Sequence, residues 1–340
     1  MQIPQPYLLF LGDVRDPLAV KMARGILAWR PETCVGQLRL DAQTPDLGLD
    51  DLTIAEAVAR GARTMVIGTA NAGGKLPAQW LDSVREAVAH GMNVASGMHQ
   101  RLSAVEDIAA AARDKGIELF DVRHVHPPLE VGNGERRPGK RVLSVGTDCS
   151  VGKMFTALAL EAELRKRGVN ADFRATGQSG IMIAGEGIAI DAVIADFISG
   201  AVEQLAPAND ANHWDVIEGQ GSLLNPAFAG VSMGLIHGAQ PDYLVMCHEL
   251  GRPHMRHMPH FPVPDIDACV ELNLTCARVT NPEVRLAGFA VNTSSASEEE
   301  ARAFLRELET RFGVPATDPV RFGIDTVASH LLTLDAQGER

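Results

Sequence analysis

Twelve residues, Val142-Leu143-Ser144-Val145-Gly146-Thr147-Asp148-Cys149-Ser150-Val151-Gly152-Lys153, constrain the fold of this chain most tightly. An apolar run with strand character enters a loop of small residues, and the loop opens directly into an amphipathic stretch over residues 153–167. Such a turn aims consecutive amide N–H groups at phosphate oxygens, while the helix N-terminus and a lysine supply positive potential. Gly146, Thr147, Asp148, Cys149, Ser150, Val151, Gly152 and Lys153 are therefore candidate ligand-binding residues. Five residues separate Gly146 from Gly152, one more than in the common Walker spacing. The next residue, Met154, stands where Ser or Thr usually presents a hydroxyl to Mg²⁺, and a thioether is a poor ligand for that hard cation. The expectation is a loop that holds a phosphorylated ligand without cleaving it. Coenzyme A, with its pyrophosphate and 3′-phosphate, is the natural candidate. The alternative is that water or another group holds the metal and the domain still hydrolyses ATP.

The rest of the chain reads as α/β. Residues 7–12, 64–68 and 93–96 have strand character and alternate with helical patterns at 18–29 and 81–90, which predicts a doubly wound, Rossmann-like sheet over residues 1–125. The small-residue loops at 68–74 and 96–97 sit where ligands enter such sheets or simply make tight turns, and no GxGxxG is present. Residues 126–140 are rich in Pro, Gly and charge without an apolar period, as in a linker. Beyond them, over 141–335, strands are expected at 141–145, 172–175, 214–218, 243–247 and 286–292, with helices at 153–167 and around 191–203. That gives a P-loop NTPase-like parallel-sheet domain after a Rossmann-like one.

Three further segments carry candidate chemistry. Glu218, in Val216-Ile217-Glu218-Gly219-Gln220-Gly221, falls at the carboxyl edge of the sheet as a candidate base or as a mere turn cap. Residues 174–185 are too rich in Gly and small polar groups for an ordinary connection: Arg174 offers a planar fork for a carboxylate, with Thr176, Gln178, Ser179 and Gly180 beside it. Asp191 and Asp196 follow as alternative candidates for the base, at a spacing that does not place both squarely on one helix face. Residues 248–260 hold four histidines with Arg252 and Arg256. Their spacing fits no standard zinc pattern, so no metal site is expected, and an anion clamp in which Arg252 holds a phosphate or carboxylate is the better reading.

Composition narrows the classes. A formal charge of −12 argues against non-specific binding to nucleic acid or an acidic membrane, and no apolar run approaches the roughly 18–20 residues of a membrane span. Five cysteines with no CxxC pair and an N-terminus without a signal-like stretch point to a cytoplasmic chain with reduced thiols. Homo-oligomerisation is the further expectation.

The longer loop, Gly-Thr-Asp-x-x-Val-Gly-Lys, resembles that of dethiobiotin synthetase and its cobyrinic-acid-amidase relatives. Glu218-Gly219-Gln220-Gly221 resembles the Glu-Gly-x-Gly turn beside it, and Gly288-Phe289-Ala290-Val291-Asn292 resembles the strand whose final asparagine reads adenine, although Asn292 equally starts the loop at 293–297. Taken with Thr176-Gly177-Gln178-Ser179-Gly180-Ile181-Met182-Ile183-Ala184-Gly185 and His237-Gly238-Ala239-Gln240-Pro241-Asp242, the order of motifs resembles, over nearly the whole chain, a bacterial family long catalogued as a domain of unknown function and later linked to D-glutamate N-acetyltransferase. The resemblance implies acetyl transfer from acetyl-CoA to the amine of a D-amino acid, with a partner dehydrogenase acting on the product. Two other classes stay open: an ATP- and Mg²⁺-dependent carboxylate-activating or kinase-type enzyme, and a non-catalytic nucleotide-binding regulator.

Overall fold

Residues 7 to 12 are all buried, without the in-out alternation of a half-exposed strand, as expected of a central strand in a parallel sheet covered on both faces. In the computed structural model, which describes residues 2–17, 19–69, 74–124 and 128–338, they form β1 (Tyr7–Gly12). The elements that follow are α1 (Lys21–Trp29), β2 (Cys34–Arg39), α2 (Ile54–Ala59), β3 (Thr64–Ile67), α3 (Ala78–Ala89), β4 (Asn93–Ser96), α4 (Glu106–Lys115) and β5 (Leu119–Asp121). These strands pair in parallel in the order β2-β1-β3-β4-β5. Their core centres on Trp80 of α3, whose ring meets Phe10 edge-on at 5.6 Å while its indole N–H donates to Asp13 at 2.8 Å. A buried aromatic thereby keeps its one polar group satisfied. Leu18, residues 70–73 of the loop after β3, and residues 126–127 of the expected linker lie outside the described residues.

The second sheet begins with β6 (Lys140–Gly146), α5 (Lys153–Lys166) and β7 (Ala171–Arg174). After Thr176 the chain rejoins the first compact unit, which comprises Met1–Pro127 and Gly177–Ala192; the second unit comprises Pro128–Thr176 and Val193–Arg340. The rejoining segment is a correction to the sequence reading: the expected polar loop at 174–185 contains α6 (Gln178–Ala184), which buries Ile181, Met182 and Ile183 and ends on a left-handed Gly185. Three apolar residues in a row against α1 outweigh the small-residue composition that suggested a loop. The helix expected around 191–203 is likewise broken. Single 3₁₀ turns occupy Ile190–Ala192 and Ala195–Phe197, and α7 (Ile198–Leu205) starts only where apolar spacing resumes.

The second unit continues with β8 (Trp214–Ile217), α8 (Ala229–Ala239), β9 (Tyr243–Glu249), the hairpin β10 (His254–Met255) and β11 (Met258–Pro262), α9 (Ile266–Ala277), β12 (Arg285–Asn292), α10 (Glu298–Phe312), β13 (Ala316–Thr317) and α11 (Asp325–Gly338). Its six main strands are parallel in the order β13-β12-β9-β6-β8-β7. A Ser297/Glu300 capping box starts α10, and Gly313 in the left-handed region ends it. Residues 128–139 form no regular element yet are fastened down: the amides of Asn133 and Gly134 donate to Glu203, and Arg137 donates to the carbonyls of Ala206 and Gly238. The strand order puts β6 between β8 and β9. Whatever follows those three strands therefore meets at one carboxyl edge of the sheet.

Candidate active site

The loop after β6 is held open by its surroundings. Four of its carbonyls have donors: Thr147 accepts from the Ser222 hydroxyl at 3.2 Å, Asp148 from Lys153 Nζ at 2.7 Å, Cys149 from Arg252 Nη1 at 2.7 Å and Ser150 from Arg252 Nη2 at 3.1 Å. With the carbonyls engaged, the amides that begin α5, which have no intrahelical acceptor, are the loop's remaining binding groups. The geometry needs unusual backbone at Ser150 (φ 55°) and Gly152 (φ 103°), the latter a conformation that a side chain would strain. Thr147 fixes the loop's first turn through its amide on Cys247 O (3.1 Å) and its hydroxyl on His248 Nδ1 (3.0 Å). Val151 is buried beneath the loop.

Asp148 is the hub. It is fully buried and accepts from Asn225 Nδ2 at 2.9 Å, Arg252 Nη1 at 2.9 Å and the Arg256 amide at 2.6 Å. Burial alone would raise its pKa, but these donors and the Cys149 amide prevail and hold the carboxyl below its usual range. Lys153 is buried as well. Desolvation pushes its pKa down, against the pull of nearby Cys247, Cys149, Asp148 and Glu218.

Beside the loop, Glu218 follows β8 and accepts the Thr176 amide at 3.0 Å on Oε2, while the Thr176 hydroxyl donates back to the Glu218 carbonyl at 2.6 Å. Gly219 donates to Ser144 Oγ at 3.0 Å. It must be glycine, since a Cβ there would lie 1.7 Å from the Ser144 carbonyl oxygen. A cleft of about 380 Å³ results, lined by Cys149, Ser150, Gly152, Lys153, Met154, Phe155 and Glu218 through Gly221. A buried carboxylate, a lysine and helix-start amides thus share one concave surface, which suits an anionic ligand with a proton acceptor next to it.

Several residues singled out from sequence have other occupations. The Arg174 fork is taken: Nε donates to buried Asp215 at 2.6 Å, and Asp172 lies 3.5 Å from Nη2. Asp172 and Arg174 share one face of β7 opposite Asp215 of β8, so the strand period turns the guanidinium into the sheet's own ion-pair network. Arg252 braces the loop and also pairs closely with Glu249, so it is a strut rather than the expected clamp. His248 is no cation, because burial first and Arg252 second push its pKa down to about 4. Asn292 Oδ1 accepts the Ser294 amide at 3.1 Å, starting the turn after β12. Asp196 is exposed on its 3₁₀ turn and does not line the cleft. In the first unit, Gln178 and Asp191 both accept from Arg123, at 3.0 and 3.2 Å, while Ser179 is half-buried and Gly180 buried in α6.

Asn225, Ser222, Ser144 and Arg123 escaped the sequence reading. They hold other groups in place through contacts distant in the chain, and no local spacing announces that.

Comparison with known proteins agrees with this architecture. The P-loop domain of a domain of unknown function, DUF1611, matches residues 130–328, and its Rossmann-like N-terminal domain matches residues 34–125. A D-glutamate N-acetyltransferase from a Pseudoalteromonas species is 50% identical over 331 residues, 97% of this chain and 100% of the relative. A second D-glutamate N-acetyltransferase, from Tritonibacter scottomollicae, is 50% identical over 321 residues, 94% of this chain and 96% of the relative. The crystal structure of a DUF1611 family protein from Anabaena variabilis superposes with a TM-score of 0.82 at 31% identity, covering 97% of this chain and 100% of that one.

Proposed function

The chain belongs to the DUF1611 family, and from that premise we propose that it is a D-glutamate N-acetyltransferase taking its acetyl group from acetyl-CoA. The observation that carries the reading is the 50% identity, over nearly the full length of both chains, to two enzymes of that name. The donor is the chemical inference. Acetyl transfer needs a clamp for an acyl carrier's phosphates and a group to accept a proton from the attacking ammonium. Lys153 and Glu218 lining one cleft support both roles, with Met154 in place of the hydroxyl that would hold Mg²⁺ for ATP cleavage.

In this scheme the helix-start amides and Lys153 bind the donor's pyrophosphate. Lys153 exchanges its bond to the Asp148 carbonyl for one to a phosphate oxygen. Glu218, its Oε2 oriented by the Thr176 amide, accepts a proton from the substrate ammonium. The amine then attacks the thioester carbonyl carbon; the C–N bond forms, the C–S bond breaks, and the coenzyme leaves as thiolate to be protonated. Five unpaired cysteines suit a cytoplasmic setting in which thiols stay reduced, and a dehydrogenase acting on the N-acetyl product is the fitting partner.

A thiol-release assay with acetyl-CoA over a panel of D- and L-amino acids, read by mass spectrometry for the N-acetyl product, tests the reading. D-glutamate should be the preferred acceptor. Substrate-stimulated ATP turnover abolished by EDTA, with no thiol released, would instead establish the carboxylate-activating reading.

A further inference from the structure

Two cations beside the phosphate loop are engaged by the protein itself: Lys153 by the Asp148 carbonyl, Arg252 by Asp148, Glu249 and two loop carbonyls. Arg256 differs. Its backbone amide, not its side chain, fastens to Asp148 at 2.6 Å. Its side chain is exposed, with Nε donating to the His257 ring at 3.3 Å, and it has no ion pair with a carboxylate among the described residues.

Arg256 and His257 are the two residues of the turn between β10 and β11, where Met255 pairs with Met258. Because the backbone makes the contact, the turn's place against the loop does not depend on what the Arg256 side chain does. That backbone contact sets Arg256 beside the loop whose Cys149 and Lys153 line the cleft, although Arg256 is not itself a lining residue. Burial pushes the pKa of the cleft-lining Cys149 thiol up, while Lys153, Arg256 and Arg252 draw it down against Asp148. The local sign of charge is also opposite to that of the whole: residues 250–264 contain two arginines, three histidines and no acidic residue, in a chain of formal charge −12.

We propose that Arg256 reads the 3′-phosphate of coenzyme A while the loop amides and Lys153 hold the pyrophosphate, making the β10–β11 hairpin the element that recognises the donor. The proposal rests on the reading of the donor as a coenzyme A thioester. A guanidinium fork matches a terminal phosphate in two parallel hydrogen bonds, and this one has no carboxylate partner to give up among the described residues, only a long bond to the exposed His257 ring.

Calorimetric titration of the full chain with coenzyme A and with 3′-dephospho-coenzyme A tests it. The wild type should bind the 3′-phosphorylated form about tenfold or more tightly. In Arg256→Gln that ratio should fall to within about twofold, with the affinity for the dephospho form unchanged, and Arg256→Lys should restore part of it. A wild type that binds both forms alike, or an Arg256→Gln variant that keeps the full ratio, would overturn the inference while leaving the donor reading intact. If neither form binds the wild type, the donor reading fails and takes this inference with it.

Discussion

Arg252 donates through one nitrogen both to the buried Asp148 carboxylate at 2.9 Å and to the Cys149 carbonyl at 2.7 Å, so a single side chain joins the loop after β9 to the phosphate loop after β6. Removing it strands a buried carboxylate with its remaining donors, Asn225 and the amides of Arg256 and Cys149. Arg252→Ala should therefore cost about 1.5–3 kcal/mol of stability, the range for losing a hydrogen bond to a charged group. Arg252→Lys, which keeps the charge but not the fork, should recover less than half. Urea unfolding of both variants measures this; an Arg252→Ala midpoint equal to that of wild type would mean that the strut carries no load.

Lys153 should behave oppositely. Burial already works against its ammonium, so Lys153→Met gives up little stability, while the anion site loses its one buried positive charge. Coenzyme A affinity should fall by at least about tenfold at an unfolding midpoint close to wild type. Calorimetry on the folded variant decides the matter, and an affinity within twofold of wild type would place the phosphates elsewhere.

The P-loop was legible in the sequence because its signal is local: glycine, small residues, lysine and helix start follow in order. The parallel sheets were legible for a similar reason, since β1, β6 and β9 are apolar runs buried on both faces. Arg174 was misjudged because a strand's period fixes only which side a residue faces, whereas its partner Asp215 comes from the neighbouring strand. The bracing role of Arg252 was hidden for a related reason: an arginine in a polar loop looks the same in sequence whether it waits for a ligand or holds a buried aspartate 104 residues away in the chain. The helix α6 was hidden by composition, its apolar triplet too short to show a period.

His248 predicts a pH dependence. Its folded pKa of about 4 lies below the ordinary 6.5 because burial disfavours the imidazolium, so the unfolded chain binds the extra proton first. The stability this neutral ring contributes is complete above pH 6.5 and is lost as pH falls through 6.5 toward about 4, with a slope of at most about 1.4 kcal/mol per pH unit. His248→Gln keeps a hydrogen-bonding partner for Thr147 without titrating. Its urea midpoint should vary less between pH 7 and pH 5 than that of wild type, and parallel curves would assign the acid sensitivity to other groups.

Met154 bears on the metal question. With a thioether at the position that would present a hydroxyl to Mg²⁺, coenzyme A binding should be indifferent to Mg²⁺ or EDTA, and no steady phosphate release from ATP should appear in the presence of D-glutamate. Titrations with and without EDTA, together with a phosphate-release assay, check both halves. EDTA-sensitive binding would show that another group brings a metal to the loop.

Glu218 gives the sharpest test of the chemistry. Its Oε2 is held by the Thr176 amide at 3.0 Å, an arrangement that fixes the carboxylate at the cleft wall beside Lys153 and that a neutral amide can mimic in shape. Glu218→Gln should thus fold normally, and it should bind coenzyme A within about twofold of wild type. The proton acceptor would be gone, so kcat should drop by about 10² or more, the usual contribution of a positioned base, with KM for D-glutamate changed far less. Raising the pH should partly rescue the variant, because a larger share of the substrate amine then arrives without its proton and needs no base. Steady-state kinetics from pH 7 to 10 measure both effects. A Glu218→Gln enzyme with near-wild-type kcat at pH 7 would remove Glu218 from proton transfer and leave it as the group that ties Thr176, after β7, to the turn that follows β8.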